Sequence, residues 1–177
     1  MMHYRRTRTK LHVRVVIASL AALVGFFPIQ KSKAQSEMGS WRFVRLPSTP
    51  DTTSAVAIMH APELSSSDLN FAGIMLRCSK NNLQVMIALV EPFPPRSQTQ
   101  VTIASGARET KLTGTVVGPG LAIQLPPEAS ALAETAWRSL DRVSIVVEKD
   151  DTKLKGTIAL TGLPAALQKL RENCLFD

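Results

Sequence analysis

Turn-forming residues interrupt this chain so often that only short β-strands fit between them. Glycine, proline and asparagine, as in Lys80-Asn81-Asn82 and Gly118-Pro119-Gly120, separate runs that are rich in apolar residues and threonine. Short strands divided by turns at this spacing are typical of a sandwich or a barrel rather than of a parallel sheet. The pattern therefore predicts a mainly β fold, either β-sandwich-like or an open barrel.

Nine runs have the apolar or alternating pattern of a strand. They cover residues 41–46, 54–61, 69–78, 83–90, 100–104, 110–117, 121–125, 142–148 and 155–160. The third and fourth runs flank a turn and are predicted to pair as an antiparallel hairpin, with a bulge at Gly73.

Two segments have the spacing of an amphipathic helix instead. Pro127 to Leu140 repeats its apolar residues every three or four positions, and Trp137 lies on this stripe as a predicted core anchor. The second helix follows Thr161-Gly162 and has Pro164 near its start, where the missing N–H costs nothing. Its last turn carries Cys174, so the fold is predicted to end in a C-terminal helix.

The first 34 residues have the three parts of a secretory signal peptide. A basic region precedes the apolar run 15–27, and Ser32 and Ala34 supply small residues for cleavage before Gln35. The apolar run would span roughly 20 Å as a helix, which is too short for the hydrocarbon core of a bilayer. The sequence therefore predicts a cleavable signal peptide, 1–34, and a single exported β-rich domain, 35–177. The alternative is an uncleaved segment that tethers the domain to the membrane.

The net charge of +7 comes entirely from the predicted signal peptide. Residues 1–34 hold seven of the 21 Lys and Arg residues and none of the 14 Asp and Glu residues, so the domain itself is formally neutral. Nucleic-acid binding depends on clustered positive charge, which this domain lacks. We therefore expect no nucleic-acid partner, and no stable membrane insertion once the signal peptide is removed.

Cys78 and Cys174 both fall in the predicted domain. In an oxidising compartment, an even number of cysteines is first interpreted as a disulfide, and two cysteines allow one connectivity. Two buried free thiols, or a redox or metal pair, are the alternatives at this point. Metal sites usually need four closely spaced donors, and the Asp150-Asp151 turn lacks the ligand spacing of a calcium loop. No metal or other cofactor is expected.

Candidates for catalysis are few. His60 is the only histidine after the predicted cleavage site, but it lies in an apolar strand and the chain has no G-x-S-x-G motif. Acid pairs for glycoside hydrolysis, Glu91 with Glu109 or Asp51 with Asp68, fall in positions where carboxylates are mostly solvated. No catalytic residue is therefore predicted, and a small envelope hydrolase is the alternative.

The segment Pro92-Phe93-Pro94-Pro95-Arg96 is the candidate partner-binding surface. Prolines hold an extended backbone at low entropic cost, and Phe93 would anchor a partner with Arg96 beside it. In the alternative interpretation, the segment is a rigid loop whose Phe93 folds back to cap the edge of the sheet.

A set of short motifs occurs in a characteristic order along the chain. The motifs are Trp41, Asp51-Thr52-Thr53, Leu76-Arg77-Cys78 before a hairpin, and Leu160-Thr161-Gly162-Leu163-Pro164-Ala165-Ala166-Leu167 through Leu170 to Cys174. Together they resemble the type VI secretion-associated VasI/TagO-like periplasmic proteins, and the closing helix is also similar to that of the invasion-associated locus B proteins. Either resemblance implies an exported β-rich body without established catalytic residues. The first also implies a disulfide from Cys78 to Cys174.

These expectations combine into one predicted function. The domain is expected to be an exported cell-envelope accessory or interaction protein, in the periplasm or secreted, with an envelope protein as its partner. The resemblance adds a secretion system as its setting. Besides the hydrolase, a carrier that holds a small molecule or lipid in an apolar cavity is a further alternative.

Overall fold

A computed structural model describes residues 37–45, 56–79, 82–149 and 152–174. The predicted signal peptide 1–34 and its cleavage site lie outside the described residues, as do Asp51 and the Asp150-Asp151 turn. Within the described ranges, no helix combines the length and the apolar character needed to cross a membrane.

Nine strands of the described residues form one antiparallel sheet. They are β1 Arg42–Arg45, β2 Val56–His60, β3 Phe71–Ser79, β4 Asn82–Leu89, β5 Gln98–Ser105, β6 Arg108–Val117, β7 Ala122–Gln124, β8 Arg142–Lys149 and β9 Thr152–Ala159. Their order across the sheet is β1-β2-β3-β4-β7-β6-β5-β8-β9. The predicted mainly β fold class is confirmed, as one continuous sheet.

The predicted hairpin of β3 and β4 is present, and its register shifts between Phe71 and Gly73. Gly73 has a φ of +140°, and a Cβ at this position would collide with the carbonyl oxygen of His60. Because only glycine permits both the backbone angle and this close approach, the bulge at Gly73 follows directly from the sequence.

The sheet curls strongly enough to bring β3 close to β9. Five strands lie between them in the sheet order. Neighbouring strands are about 4.8 Å apart, so a flat sheet would separate β3 from β9 by roughly 29 Å. Instead, the ring of Phe71 packs on Gly156, where any Cβ would overlap the ring. The sheet therefore has the open-barrel form, with β1 and β9 as its two end strands.

The outer edge of β9 is bonded to the segment that joins β2 to β3. The Asp68 carboxylate accepts a hydrogen bond from the N–H of Lys155 at 2.6 Å, and the Ser67 hydroxyl accepts one from the N–H of Thr157 at 2.9 Å. The carbonyl oxygens of Lys155 and Thr157 accept from the N–H groups of Asp68 and Glu63, both at 2.8 Å. The outward backbone groups of these two β9 residues are therefore satisfied, which protects this edge from pairing with another strand.

Two α-helices and two short 3₁₀ helices complete the described part of the chain. They are α1 Pro127–Glu134, α2 Leu163–Asn173 and the 3₁₀ helices Leu64–Ser66 and Ala136–Ser139. The single helix predicted from Pro127 to Leu140 is thus divided, because Thr135 leaves the helical backbone region with φ −117° and ψ −88°. Trp137 is fully buried, and its Nε1 donates to the Ser105 hydroxyl at 3.1 Å. Its predicted role as a core anchor is confirmed.

The C-terminal helix α2 lies against β1, β2 and β3. Pro164 is in its first turn, as predicted, and Gly162 precedes it with a φ of +85° that favours glycine. The buried side of the helix carries the residues predicted from their spacing: Leu163, Ala166, Leu167 and Leu170. They join the inward residues of the sheet in a single core.

Cys78, near the end of β3, and Cys174, which follows α2, form a disulfide. Their Cα atoms are 5.9 Å apart, inside the usual range of about 4.4 to 6.8 Å. The alternative of two free thiols is wrong, because the described residues include no free cysteine. The bond ties the end of the last helix to β3 across 96 residues of sequence.

Replacing both cysteines with alanine is expected to lower the free energy of unfolding by about 4 to 5 kcal/mol, because the unfolded chain regains the entropy of a long closed loop. Urea unfolding followed by tryptophan fluorescence would measure the loss. The unaltered chain in a reducing agent is the control and should lose a similar amount. A loss below about 1 kcal/mol in both samples would mean that packing alone holds α2 in place.

Candidate interaction surface

The pairing register sorts the side chains of β1 to β4 into two faces, because directly opposed residues of an antiparallel sheet point to the same side. Met59 of β2 is opposite Arg42 of β1 and Met75 of β3. Met75 is in turn opposite Met86 of β4. Met59, Met75 and Met86 therefore form one line across three strands, which we call the methionine row.

The methionine row lies on the face that points away from the core. Ile58 and Leu76, which flank Met59 and Met75 along their strands, belong to the core cluster. Met86 is only 3 % exposed, yet it is not part of that cluster, and Met59 and Met75 are half-buried. Met86 is already covered, so Met59 and Met75 are the members of the row that a partner could reach. Flexible methionine side chains suit such contact, because they adapt to surfaces of different shape.

The four strands β1 to β4 contain no acidic residue but three arginines, Arg42, Arg45 and Arg77. By register, Arg42 and Arg77 share the face of the methionine row. The Nε of Arg77 donates to the amide oxygen of Gln84 at 3.0 Å, which holds this guanidinium beside the row. None of the ion pairs between described residues involves these arginines. The face therefore combines apolar side chains with Arg42 and Arg77, which form no ion pair with any residue that the structure describes.

A groove of about 680 Å³ borders this face. Its lining includes Arg42 and Val44 of β1, Met59 of β2 and Ala88 of β4, which all belong to the outer face by register. Ala159, the last residue of β9, also lines it, as does Glu63, whose carboxylate is 3.7 Å from the Nη1 of Arg142. The groove therefore extends from the methionine row to residues of both end strands.

A second groove, of about 430 Å³, lies beside the disulfide. Cys78 and Cys174 line it together with the ion pair of Arg171 and Glu134, whose Nη2 and Oε1 atoms are 2.8 Å apart. The two charges neutralise each other across α1 and α2. This groove therefore lacks the excess of positive charge found on the outer face of β1 to β4.

His60, the histidine considered for catalysis, is the last residue of β2 and is 7 % exposed. Its Nδ1 donates to the carbonyl oxygen of Ala61 at 2.5 Å, and its Nε2 has no hydrogen-bond partner among the described residues. Its ring centre is 5.0 Å from that of Trp41. Burial lowers the pKa of His60, and the Ala61 hydrogen bond and the Glu63 carboxylate oppose this only in part. The imidazole is therefore held neutral, with its Nδ1 engaged by the backbone.

Of the described carboxylates considered for catalysis, one bonds to the backbone and two are exposed to solvent. Asp68 bonds to the backbone of β9. Glu91 and Glu109 are both exposed, Glu91 after the end of β4 and Glu109 within β6. Within the described ranges, no group of three or more His, Cys, Asp or Glu side chains is arranged to hold a metal ion.

The candidate segment Pro92-Phe93-Pro94-Pro95-Arg96 packs against the turn between β6 and β7. Phe93 is 6 % exposed and belongs to the core, and its N–H donates to the carbonyl oxygen of Gly120 at 2.9 Å. The N–H of Arg96 donates to the carbonyl oxygen of Val116 at 3.1 Å. Phe93 thus has the folded-back position of the alternative interpretation, while the three prolines and Arg96 are exposed. Partner binding by this segment stays a prediction.

The sequence pattern alone does not predict the methionine row. The runs around Met59, Met75 and Met86 are almost continuously apolar, so an outward methionine looks like one more core residue. The available signal is the two-residue period of a strand, which places each methionine opposite in direction to its core neighbours. Only the register between strands aligns the three into one row.

Comparisons of this chain with protein-family models, with curated proteins and with solved structures found no match. They neither support nor oppose the resemblance to the VasI/TagO-like proteins.

The buried imidazole of His60 predicts a loss of stability in mild acid. The pKa of His60 in the folded chain is lowered from its usual value of 6.5. As the pH falls below 6.5, the imidazole is therefore protonated in the unfolded chain before it is protonated in the folded chain. The free energy of unfolding should therefore decrease from pH 6.5 down to the lowered pKa, and His60 should contribute no slope well above pH 6.5. Urea unfolding at a series of pH values would measure this. His60→Gln should flatten that part of the profile, and an unchanged slope in this variant would contradict the assignment.

Proposed function

We propose that this chain is an exported accessory protein of the cell envelope, in the periplasm or secreted, that binds another envelope protein and performs no catalysis. The observation that carries the proposal is the outer face of β1 to β4, where the half-buried Met59 and Met75 lie on the same face as Arg42 and Arg77, in four strands that carry no acid of their own. Methionine and arginine are both enriched where proteins meet, since one adapts to irregular apolar surfaces and the other bonds to acidic groups.

The contacts of the candidate catalytic groups support a binding role. In a hydrolase triad, the histidine Nδ1 donates to an acid while Nε2 takes the proton of the nucleophile. In this chain, Nδ1 of His60 donates to a backbone carbonyl, and the carboxylate of Asp68 bonds to the backbone of β9. Both groups stabilise the fold through these contacts.

Export is supported by two independent features. The first 34 residues have the composition and order of a signal peptide. The domain carries a disulfide, and disulfides persist mainly in oxidising compartments such as the periplasm and the cell exterior. We place the folded domain there, released from its signal peptide.

A secretion system is the proposed setting of this accessory role. The support is the resemblance to the VasI/TagO-like proteins, which rests on the Leu76-Arg77-Cys78 motif and on the closing helix. The disulfide joins these two motifs, as the resemblance implies. The proposed partner is accordingly an envelope protein of that system.

Cleavage before Gln35 is expected during export, so the chain recovered from the periplasm or the medium should begin at Gln35. Mass spectrometry of the intact chain would measure its first residue. Ala34→Arg places a large charged side chain directly before the cut and should leave the full-length chain in the membrane fraction. Ser36→Arg, two residues away, is the control and should be processed. A wild-type chain that retains Met1 would favour the membrane-tethered alternative.

Contact through the methionine row is tested by a photo-reactive side chain at position 75 of the full chain in its native cell. We expect one discrete cross-linked envelope protein, because Met75 is at the centre of the row. The matched control is position 113, since Thr113 is exposed on β6 away from the row. Met59→Glu in the position-75 chain should abolish the product, because it introduces a charge into the apolar contact. The same set of products from both positions would contradict a specific interface.

A further inference from the structure

The two end strands of the sheet differ in how their outer edges are covered. The outward backbone groups of Lys155 and Thr157 on β9 are bonded to the segment between β2 and β3. β1 ends the sheet order on the other side, and no strand of the described residues pairs with its outer edge. An edge strand with no neighbouring strand among the described residues is a template on which an extended segment of another protein can form a further strand.

We propose that β1 is the docking strand for the partner, which adds an extended acidic segment to the sheet along Arg42–Arg45. This inference rests on the proposed function, since it specifies where an envelope protein partner binds and which residues it brings.

The charges of β1 favour an acidic segment. The strand reads Arg-Phe-Val-Arg, and both arginines are exposed. Residues that face Arg42 and Arg45 from an added strand are three positions apart, whether the strand runs parallel or antiparallel. Opposite charges at facing positions stabilise a strand pair and like charges destabilise it. A segment with two acids at this spacing therefore matches the edge.

A second copy of this chain matches the edge poorly. If two β1 strands paired antiparallel about a two-fold axis in the register that aligns all four residues, Arg42 of each would face Arg45 of the other. Two facing pairs of like charge would oppose the contact. The arginines therefore disfavour this fully aligned self-pairing, while they attract an acidic partner.

The groove beside β1 accommodates apolar side chains of the added segment. Val44 points to the outer face of the sheet, and it lines the groove together with Met59 of β2. An apolar residue between the two acids of the partner would lie over these side chains. The two acids would pair with Arg42 and Arg45. The groove and the charges therefore favour one sequence pattern in the added segment, namely acid-apolar-apolar-acid.

The probe is a fluorescein-labelled peptide with the core Glu-Val-Val-Glu, capped at both ends, added to the purified disulfide-bonded chain at low ionic strength. Fluorescence anisotropy is expected to saturate below about 1 mM peptide. A peptide with the core Lys-Val-Val-Lys should bind at least about tenfold more weakly, because it places like charges opposite the arginines. Equal binding of the two peptides, or no saturation by the acidic one, would overturn the proposal.

Backbone methylation separates strand addition from simple charge attraction. Two further acidic peptides carry N-methyl groups on alternate amides, one on the odd set and one on the even set. In an added strand, only one set points at β1, so one peptide should lose binding by at least about tenfold while the other keeps it. If both peptides bind equally, the segment does not add as a strand and the proposal fails.

Charge reversal supplies the matched variants. The double variant Arg42→Glu, Arg45→Glu should lose the acidic peptide and gain the basic one, since the facing pairs are then inverted. The control is Arg108→Glu, Arg138→Glu, which makes the same change in net charge at two exposed arginines outside β1. If the control variant loses the acidic peptide to the same extent, binding follows total charge and the proposal is wrong. Vesicles of phosphatidylglycerol that displace the peptide with the same dependence on Arg42 and Arg45 would also overturn it.

The cross-linking experiment distinguishes this inference from the function on which it rests. A partner that still cross-links to position 75 in the Arg42→Glu, Arg45→Glu chain would leave the proposed function standing and refute docking at β1. Loss of that product in the double variant, with retention in the Arg108→Glu, Arg138→Glu control, supports docking at β1.

Discussion

The hydrogen bonds between β9 and the segment 63–68 are the constraint on which the rest of this structure depends. They join parts of the sheet that lie far apart in strand order, and they form only if the sheet curls. The curl directs the inner residues of distant strands, such as Ile58, Ile103 and Ile145, into one core. It also leaves α2 a place against the inner side of β1 to β3, where the helix completes that core.

The same curl gives the outer surface two sides of different chemistry. On β5 and β6, the facing pairs Gln98 with Thr115 and Gln100 with Thr113 are polar and exposed. On β2 to β4, the equivalent outward positions carry the methionine row. A sheet stabilised entirely from within has no need of apolar residues on its outer side. The part-exposed Met59 and Met75 on this side, on the same face as Arg42 and Arg77, are the reason for proposing the interaction there.

Local patterns predict much of this fold because its boundaries depend on nearby residues. Gly73 marks its bulge, Pro164 its helix start, and both are found where the sequence places them. The break at Thr135 is not predicted, because the apolar spacing continues through it to Trp137. The contact between Asp68 and Lys155 joins residues 87 apart, and the methionine row needs the register of three strands. Such long-range alignments are absent from any short window of sequence.

The positions of the two cysteines in the chain determine when the disulfide can form. Cys78 belongs to a hairpin whose two strands are adjacent in sequence, whereas Cys174 follows the last helix. On a chain that is threaded through a membrane from its N-terminus, the thiol of Cys78 would arrive first and wait for 96 further residues before its partner appears. The covalent closure would then follow the arrival of nearly the whole domain. Under the proposed export, a chain halted before Cys174 would lack the bond that holds α2 to β3.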